Sequence, residues 1–476
     1  MTRMKPAMQM RHCLTSRILG VLTGMVILLL VLLMGESPLG AQNAPDMSGS
    51  RLSDQPIPLD KTLERPPPLL ELGDPFLGAG NLQKGITLPT GAVWQPSLVM
   101  FGDYRTAVQT FSDGKNKFSE WANRLDLFAN LQLTGTERVL LGLRPLDRNG
   151  KYFGYQFDSD AGFKGRTDGN LAMLFFEGDF GQIFPKLDLD DRLSLDYGFS
   201  IGRQPLLLQD GILLNDTIDS TGIVRNSLHT AWTSGWRLNF YYGWNNIHRN
   251  NNELDTSAQL VALSTTADFY WSTMELDFVY VPASSRTSDG LYAGLGATQR
   301  VFLFDHAFNT TFRILGSRAL DRPTPQTSNG VLLFSQIALT PKDTLDWVYL
   351  DLFWAIDKFS SAARGPEEGG PLSRTGLLFS SPALGRYGSA LDNEAEHAVG
   401  FALGYQMFFD TFRRQLLLEV GARKDTKHTN RDAAAMGARL QQAIWRHLLL
   451  QFDTFVSGGR HQGIGYGGRT ELMVKF

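Results

Sequence analysis

From Ser97 to its end, this chain alternates apolar and polar residues with a period of two. Leu125, Leu127, Ala129, Leu131 and Leu133 interleave with Arg124, Asp126, Phe128, Asn130 and Gln132. Trp236, Leu238, Phe240, Tyr242 and Trp244 do so with Arg237, Asn239, Tyr241 and Gly243. The pattern returns at 399–407, 416–422 and 448–456, and the final stretch sets Tyr466, Gly468, Thr470, Leu472, Val474 and Phe476 against Gly467, Arg469, Glu471, Met473 and Lys475. Period two means strands, and strands with one greasy and one charged face suit a wall between lipid and water. Between 97 and 476 there are about eighteen candidate strands, with sixteen as the alternative count and the weakest signals at 258–268 and 330–340. The predicted fold is all-β: a transmembrane, antiparallel, up-and-down β-barrel over 96–476. A soluble sandwich would alternate too, yet would have no use for aromatics facing outward on strand after strand.

The connections sharpen this. Short turns are expected near 134–137, 233–235, 341–344 and 444–447, and long ones at 146–169, 204–219, 247–257, 318–329 and 358–395. Alternation of short and long connections is the habit of outer-membrane barrels, whose turns are periplasmic and whose loops are external.

The first 95 residues differ. Arg3, Lys5, Arg11 and Arg17 precede an apolar run over 18–34, then Ser37, Pro38 and a small-residue stretch to Ala41. Residues 1–41 are expected to be a secretory signal peptide and 42–95, rich in proline, a periplasmic lead-in or a partial plug. Cleavage would remove four basic residues and one acid from the 45 Lys plus Arg and 48 Asp plus Glu, leaving a net charge near −6. That excludes the basic footprint of a nucleic-acid partner. The single cysteine, Cys13, lies in the signal, so disulfides, thiol nucleophiles and Cys-ligated zinc are excluded as well.

Few residues recommend catalysis. The stretch 198–202, GFSIG, matches a hydrolase nucleophile pattern that needs a strand-to-helix turn, but here it continues a strand alternation, making Ser200 an inward-facing wall residue. His229, His248, His306, His397, His428, His447 and His461 form no ligand pair, so no metal site and no cofactor are expected. Charge is more informative, since Arg outnumbers Lys 32 to 13. The strand phase turns Arg105, Arg124, Arg144, Arg225, Arg237, Arg300, Arg313, Arg423, Arg439 and Arg469 inward. It turns inward also Asp103, Asp126, Glu177, Asp179, Asp196, Glu275, Asp277, Asp351, Asp357, Glu419, Asp453 and Glu471. Guanidinium groups hold carboxylates bidentately, which suits a path for acidic solutes. The competing expectation is that these charges pair across strands and only stiffen the wall. Sequence gives their phase, not their height.

The segment 198–225, GFSIGRQPLLLQDGILLNDTIDSTGIVR, resembles the alginate export porin family, whose members carry a strand ending in Gly-Arg-Gln, an Asp-Gly loop and a returning strand with a basic residue. Gly202, Arg203, Gln204, Asp210 and Gly211 are the matching positions, followed by Gly222 and Arg225. Pro205 should end ladder pairing, and 209–211 should turn the chain back. The resemblance implies a monomeric eighteen-stranded barrel that exports an acidic polysaccharide through an Arg-lined pore narrowed by inward-folded loops, among which 358–395 is a candidate.

The resulting expectation is a non-enzymatic channel in the bacterial outer membrane that passes an anionic solute such as an alginate-like polysaccharide. Its partners would be lipid, an anionic saccharide or small anion, and periplasmic export machinery. The alternatives are a general diffusion porin for small anions, or a barrel enzyme or surface-binding protein with a closed lumen.

Overall fold

The computed structural model describes residues 66–74, 84–148, 150–158, 161–165, 167–187, 189, 195–284, 286–303, 306–409, 412–427, 430–460 and 462–476. The expected signal peptide and residues 42–65 and 75–83 of the lead-in lie outside them. The barrel strands are β1 Ser97–Ser112, β2 Lys117–Gln132, β3 Arg138–Leu143, β4 Leu171–Asp179, β5 Tyr197–Leu208 and β6 Leu214–Thr230. Then come β7 Thr233–Asn245, β8 Leu260–Asp268, β9 Ser272–Val281, β10 Gly290–Leu303, β11 His306–Ala319 and β12 Gly330–Leu339. The last six are β13 Trp347–Lys358, β14 Glu396–Phe409, β15 Arg414–Asp425, β16 Ala433–Ala443, β17 Leu448–Gly459 and β18 Gln462–Lys475.

Each strand pairs antiparallel with its neighbours in sequence, and β18 pairs with β1 from Tyr466 opposite Ser112 to Lys475 opposite Asp103. This is a closed eighteen-stranded barrel with no free edge to template aggregation. Phe476 ends the seam: its N–H donates to Gly102 O (3.1 Å) and its carbonyl accepts from Gly102 N (2.8 Å). Past the seam β1 stays paired with β2, and Leu70–Leu72 covers its other edge at 98–100. Residues 86–87 and 93–94 form a small hairpin, held at Lys186, whose Nζ donates to Pro89 O (2.9 Å).

Apolar residues on the outward face, among them Ile201, Phe240, Leu276, Phe312, Trp354 and Leu403, are exposed. In water such a band would forgo the gain from burying apolar area; against acyl chains it is at home.

Three sequence expectations need correction. The 204–219 loop is far shorter, because β5 and β6 stay paired through Leu208 opposite Leu214, leaving 209–213 as the connection. Pro205 sits inside the ladder opposite Thr217. It is tolerated because β4 pairs with β5 only as far as Arg203, so beyond that point no neighbour asks for its missing N–H. The turn expected at 233–235 lies at 231–232, closed by the Thr230 and Thr233 hydroxyls (2.9 Å).

The hydrophobic core lies inside the barrel. Residues 359–395, between β13 and β14, fold inward, and Ala363–Arg364 runs parallel to Leu214–Asn215 of β6. Phe359, Leu372, Leu378, Phe379 and Leu391 of this loop pack on Tyr292, Leu315, Leu332 and Phe353 of the inner wall, all buried.

Candidate functional site

Below the inward loop the wall is charged. On β16 to β3 the register sets Arg439 opposite Asp453, and Asp453 opposite Arg469. Arg439 Nε donates to Asp453 (2.6 Å), Arg469 donates to Asp453 (2.8 Å) and to Glu471, and Arg105 Nε donates to Glu471 (2.5 Å). On β1 and β2 like charges face each other, Arg105 opposite Arg124 and Asp103 opposite Asp126. Ion pairing therefore runs along the strand instead, with Arg124 Nε to Asp126 (2.5 Å), and then to Arg144 Nε, 2.7 Å from the same carboxylate. Arg439, Asp453, Arg469, Glu471, Arg105, Arg124, Asp126 and Arg144 thus form a ladder at mid-height whose signs alternate except where Arg105 meets Arg124. The pairing expectation is met.

Depth decides what a solute meets. Side-chain exposure is 16% for Arg105 against 1% for Glu471, 22% for Arg144 against 7% for Asp126, and 28% for Arg439 against 6% for Asp453. At these three pairs the acid lies against the wall and the guanidinium stands in front, while Arg469, 0% exposed, lies behind Asp453 at 6%. With five arginines to three acids, the ladder shows the lumen a positive face. Across the barrel, five to nine strands away, the order is reversed. Arg313 on β11 is 2% exposed, behind Asp210 at 67% (2.5 Å) and Glu275 of β9 at 32% (2.6 Å).

The inward loop is bolted to the ladder. Glu367 accepts from Arg124 (2.8 Å) and Arg144 (2.5 Å), while Arg105 and Arg124 also donate to the carbonyls of Pro382 and Ala383 (both 3.1 Å). Glu419 on β15, 2% exposed, accepts the backbone N–H groups of Leu377 (2.7 Å) and Leu378 (2.8 Å). Gly376 precedes them at φ +68°, where a Cβ would stand 2.5 Å from the Glu419 carboxylate. Arg423 is consumed in structure, donating to the carbonyls of Asp392 and Glu396 (both 3.1 Å) and of Glu394. Arg364, fully buried, donates to the carbonyls of Gly369 (2.8 Å), Glu368 (3.0 Å) and Gly211 (2.8 Å), tying the loop to the β5–β6 tip. That tip reaches the far wall, where Gln209 Nε2 donates to Asp277 (2.6 Å) and Arg313 Nη1 to Gln209 Oε1 (2.7 Å). Asp147, past the end of β3, is held by burial and by nearby Glu367 above the usual carboxylate range, at about 6.

The remaining predicted residues scatter. Arg237 faces the lumen nearer the short-turn rim, its Nε donating to Asn226 (2.9 Å), and Arg300 lies over the Phe302 ring (5.2 Å). Neither has a carboxylate partner among the described residues. Arg225 is a correction: it is on the outward face, opposite Leu238, stacked on Tyr197 (4.8 Å) and bonded to Asp196 O (2.9 Å). Two consecutive apolar residues, Ile223 and Val224, leave the phase ambiguous in sequence, and the wall places Ile223 outward. Asp196 lies just before β5 rather than on it, largely exposed. Of the family-like motif, Arg203 bonds Asp219 (2.6 Å) on the outward face, while Gln204 faces in and bonds Ser220 (3.0 Å). Asp210 and Gly211, at φ +53° and +78°, make the expected reversal. Ser200 is mid-strand opposite Gly222 with no helix after it, as the alternation implied. Among the described residues no group of His, Cys, Asp and Glu could hold a metal ion; His428 and His461 lie outside them.

Sequence reasoning missed Glu367 and Arg364. The only hint was the run 365–370, GPEEGG, which puts two acids on a glycine-rich, easily bent segment.

No family model matches this sequence, nor does any curated protein. Solved structures do. Acinetobacter baumannii OccAB3 matches over 80% of this chain and 99% of its own, at TM-score 0.55 and 10% identity. Pseudomonas aeruginosa OccK2 (OpdF), solved in complex with glucuronate, matches over 80% and 98%, at 0.54 and 12%. The Pseudomonas aeruginosa outer membrane protein OpdK matches over 80% and 98%, at 0.51 and 11%. At these identities the likeness is one of fold. The chain has the fold of a large outer-membrane β-barrel. The narrower assignment to alginate exporters drawn from 198–225 gains no support from these structures.

Proposed function

We propose that this protein is a monomeric bacterial outer-membrane channel for small carboxylate-bearing solutes, sugar acids in particular, entering or leaving through the lumen beneath the 359–395 loop. The observation that carries the reading is the depth order of the ladder: Arg105, Arg144 and Arg439 stand in front of Glu471, Asp126 and Asp453. At Arg439 a carboxylate that approaches such a face trades water for guanidinium hydrogen bonds without first displacing an acid, whereas at Arg144 it competes with Glu367. The outward apolar band supports the membrane setting, and the barrel shared with a glucuronate-bound structure supports the solute class.

Export of an alginate-like polymer through periplasmic machinery is the finer reading of 198–225. The β5–β6 tip and the 359–395 loop, both bolted across the lumen, favour single sugar acids over a threaded chain. The test is flux into liposomes carrying the purified protein. Glucuronate should enter faster than uncharged glucose of the same ring size, and with saturation. Equal, unsaturable rates would mark a general diffusion porin, and no flux a sealed barrel.

A further inference from the structure

One rung below the ladder, toward the short-turn rim, the inner wall carries a row of glutamines. Gln415, Gln441 and Gln451 are directly opposite one another on β15, β16 and β17, and Gln406 joins diagonally from β14. Their amides are chained in one direction: Gln406 Nε2 donates to Gln415 Oε1 (2.6 Å), Gln415 Nε2 to Gln441, Gln441 Nε2 to Gln451 Oε1 (2.5 Å) and Gln451 Nε2 to Asp453 (2.7 Å). Aligned amide bonds polarise one another, and this chain ends on the carboxylate that carries Arg439.

Each carboxamide has two N–H donors and two acceptor lone pairs. The chain uses one of each at Gln415 and Gln441, which are only half-buried, so one donor and one acceptor per residue stay open to the lumen. Alternating donors and acceptors match hydroxyl groups, which do both; a carboxylate only accepts. Arg439 hydrogen-bonds through Nε alone among the described residues, leaving its two Nη groups open. Arg439 and Gln441 share one face of β16 two residues apart, about 7 Å, comparable to the breadth of a pyranose ring.

We infer that Arg439, Gln415 and Gln441 form a subsite for a sugar acid, in which the Arg439 Nη groups take the carboxylate and the glutamine rail takes the ring hydroxyls. This rests on the anion-channel reading and adds what distinguishes a polyhydroxylated acid from a bare one.

Block of single-channel chloride current by glucuronate and by cyclohexanecarboxylate, which has the same charge and ring size but no hydroxyls, separates the two claims. In the native protein glucuronate should block at lower concentration. Gln415→Leu with Gln441→Leu should weaken glucuronate block about tenfold, the worth of one or two neutral hydrogen bonds, and leave cyclohexanecarboxylate block within about twofold. Arg439→Gln should weaken both. If the double variant does not fold into a heat-modifiable barrel, Gln441→Met alone should weaken glucuronate about threefold by the same reasoning. An unchanged glucuronate to cyclohexanecarboxylate ratio in the glutamine variants would overturn the rail while leaving the anion channel standing. A native channel that neither acid blocks would overturn both.

Discussion

Removing the Arg364 side chain should release the inward loop without opening the barrel. Its guanidinium makes five hydrogen bonds, three of them to the carbonyls of Gly211, Glu368 and Gly369 and the others to the hydroxyls of Ser361 (3.3 Å) and Ser373 (2.8 Å). In Arg364→Ala the buried carbonyl of Gly211 and the half-buried carbonyls of Glu368 and Gly369 lose this donor at about 2 kcal/mol each, about 6 kcal/mol in all. Against this, the native protein bears the cost of burying a charged guanidinium hydrogen-bonded only to carbonyls and hydroxyls, whose pKa is lowered by that burial to about 10. Relief of that cost offsets about 3 kcal/mol. The net, about 3 kcal/mol, raises the population of the released loop about a hundredfold. Arg374 and Arg386 lie within the loop as trypsin sites, and when opening is fast the rate of cleavage follows the open population. Cleavage between β13 and β14 should therefore quicken about a hundredfold by that relation, while the barrel keeps its heat-modifiable mobility. A cleavage rate equal to that of the native protein would refute the pinning role of Arg364.

Gly376→Ala should loosen the same loop more mildly, by about 1–2 kcal/mol for a non-glycine residue in the left-handed region, and the same protease assay reads it. Asp147→Asn should flatten a pH dependence: Asp147 is mostly neutral at pH 5 and charged at pH 7, so the native channel should favour anions more at pH 5. Because its folded pKa is raised to about 6 from 3.8, the stability it confers is complete below 3.8 and is lost as pH rises to about 6. Reversal potentials and melting curves at both pH values, compared with the variant, check each part. Arg439→Gln should lower anion preference in the same recording, and an unchanged preference would remove Arg439 from the pore's working face.

The barrel was legible because its strands have two solvents. Where lipid lies on one side and water on the other, as at Trp236 to Trp244 or Tyr466 to Phe476, alternation is clean. It blurs where the inner side meets protein: Leu315, Leu332 and Phe353 face inward yet are apolar because the 359–395 loop covers them. Pro205 misled because ladder pairing depends on the length of a neighbouring strand, a non-local fact. Arg225 misled because Ile223 and Val224 admit either phase. The ladder residues themselves were readable, apart from Glu367; their order in depth was not, since whether Arg or Asp stands nearer the wall depends on side-chain length and on partners from other strands. At Arg105, Arg144 and Arg439 the guanidinium reaches past its carboxylate into the lumen, at Arg313 it does not, and the sign of the visible surface on each side follows from that reach.

The central claim is that the ladder on β16 to β3 shows solutes a positive face and governs passage. The most direct measurement is the reversal potential of the purified protein in a planar bilayer under a potassium chloride gradient. Chloride preference is the result expected from the guanidinium groups in front of Asp126, Asp453 and Glu471. Potassium preference would mean that the acids govern the pore, and would contradict the account.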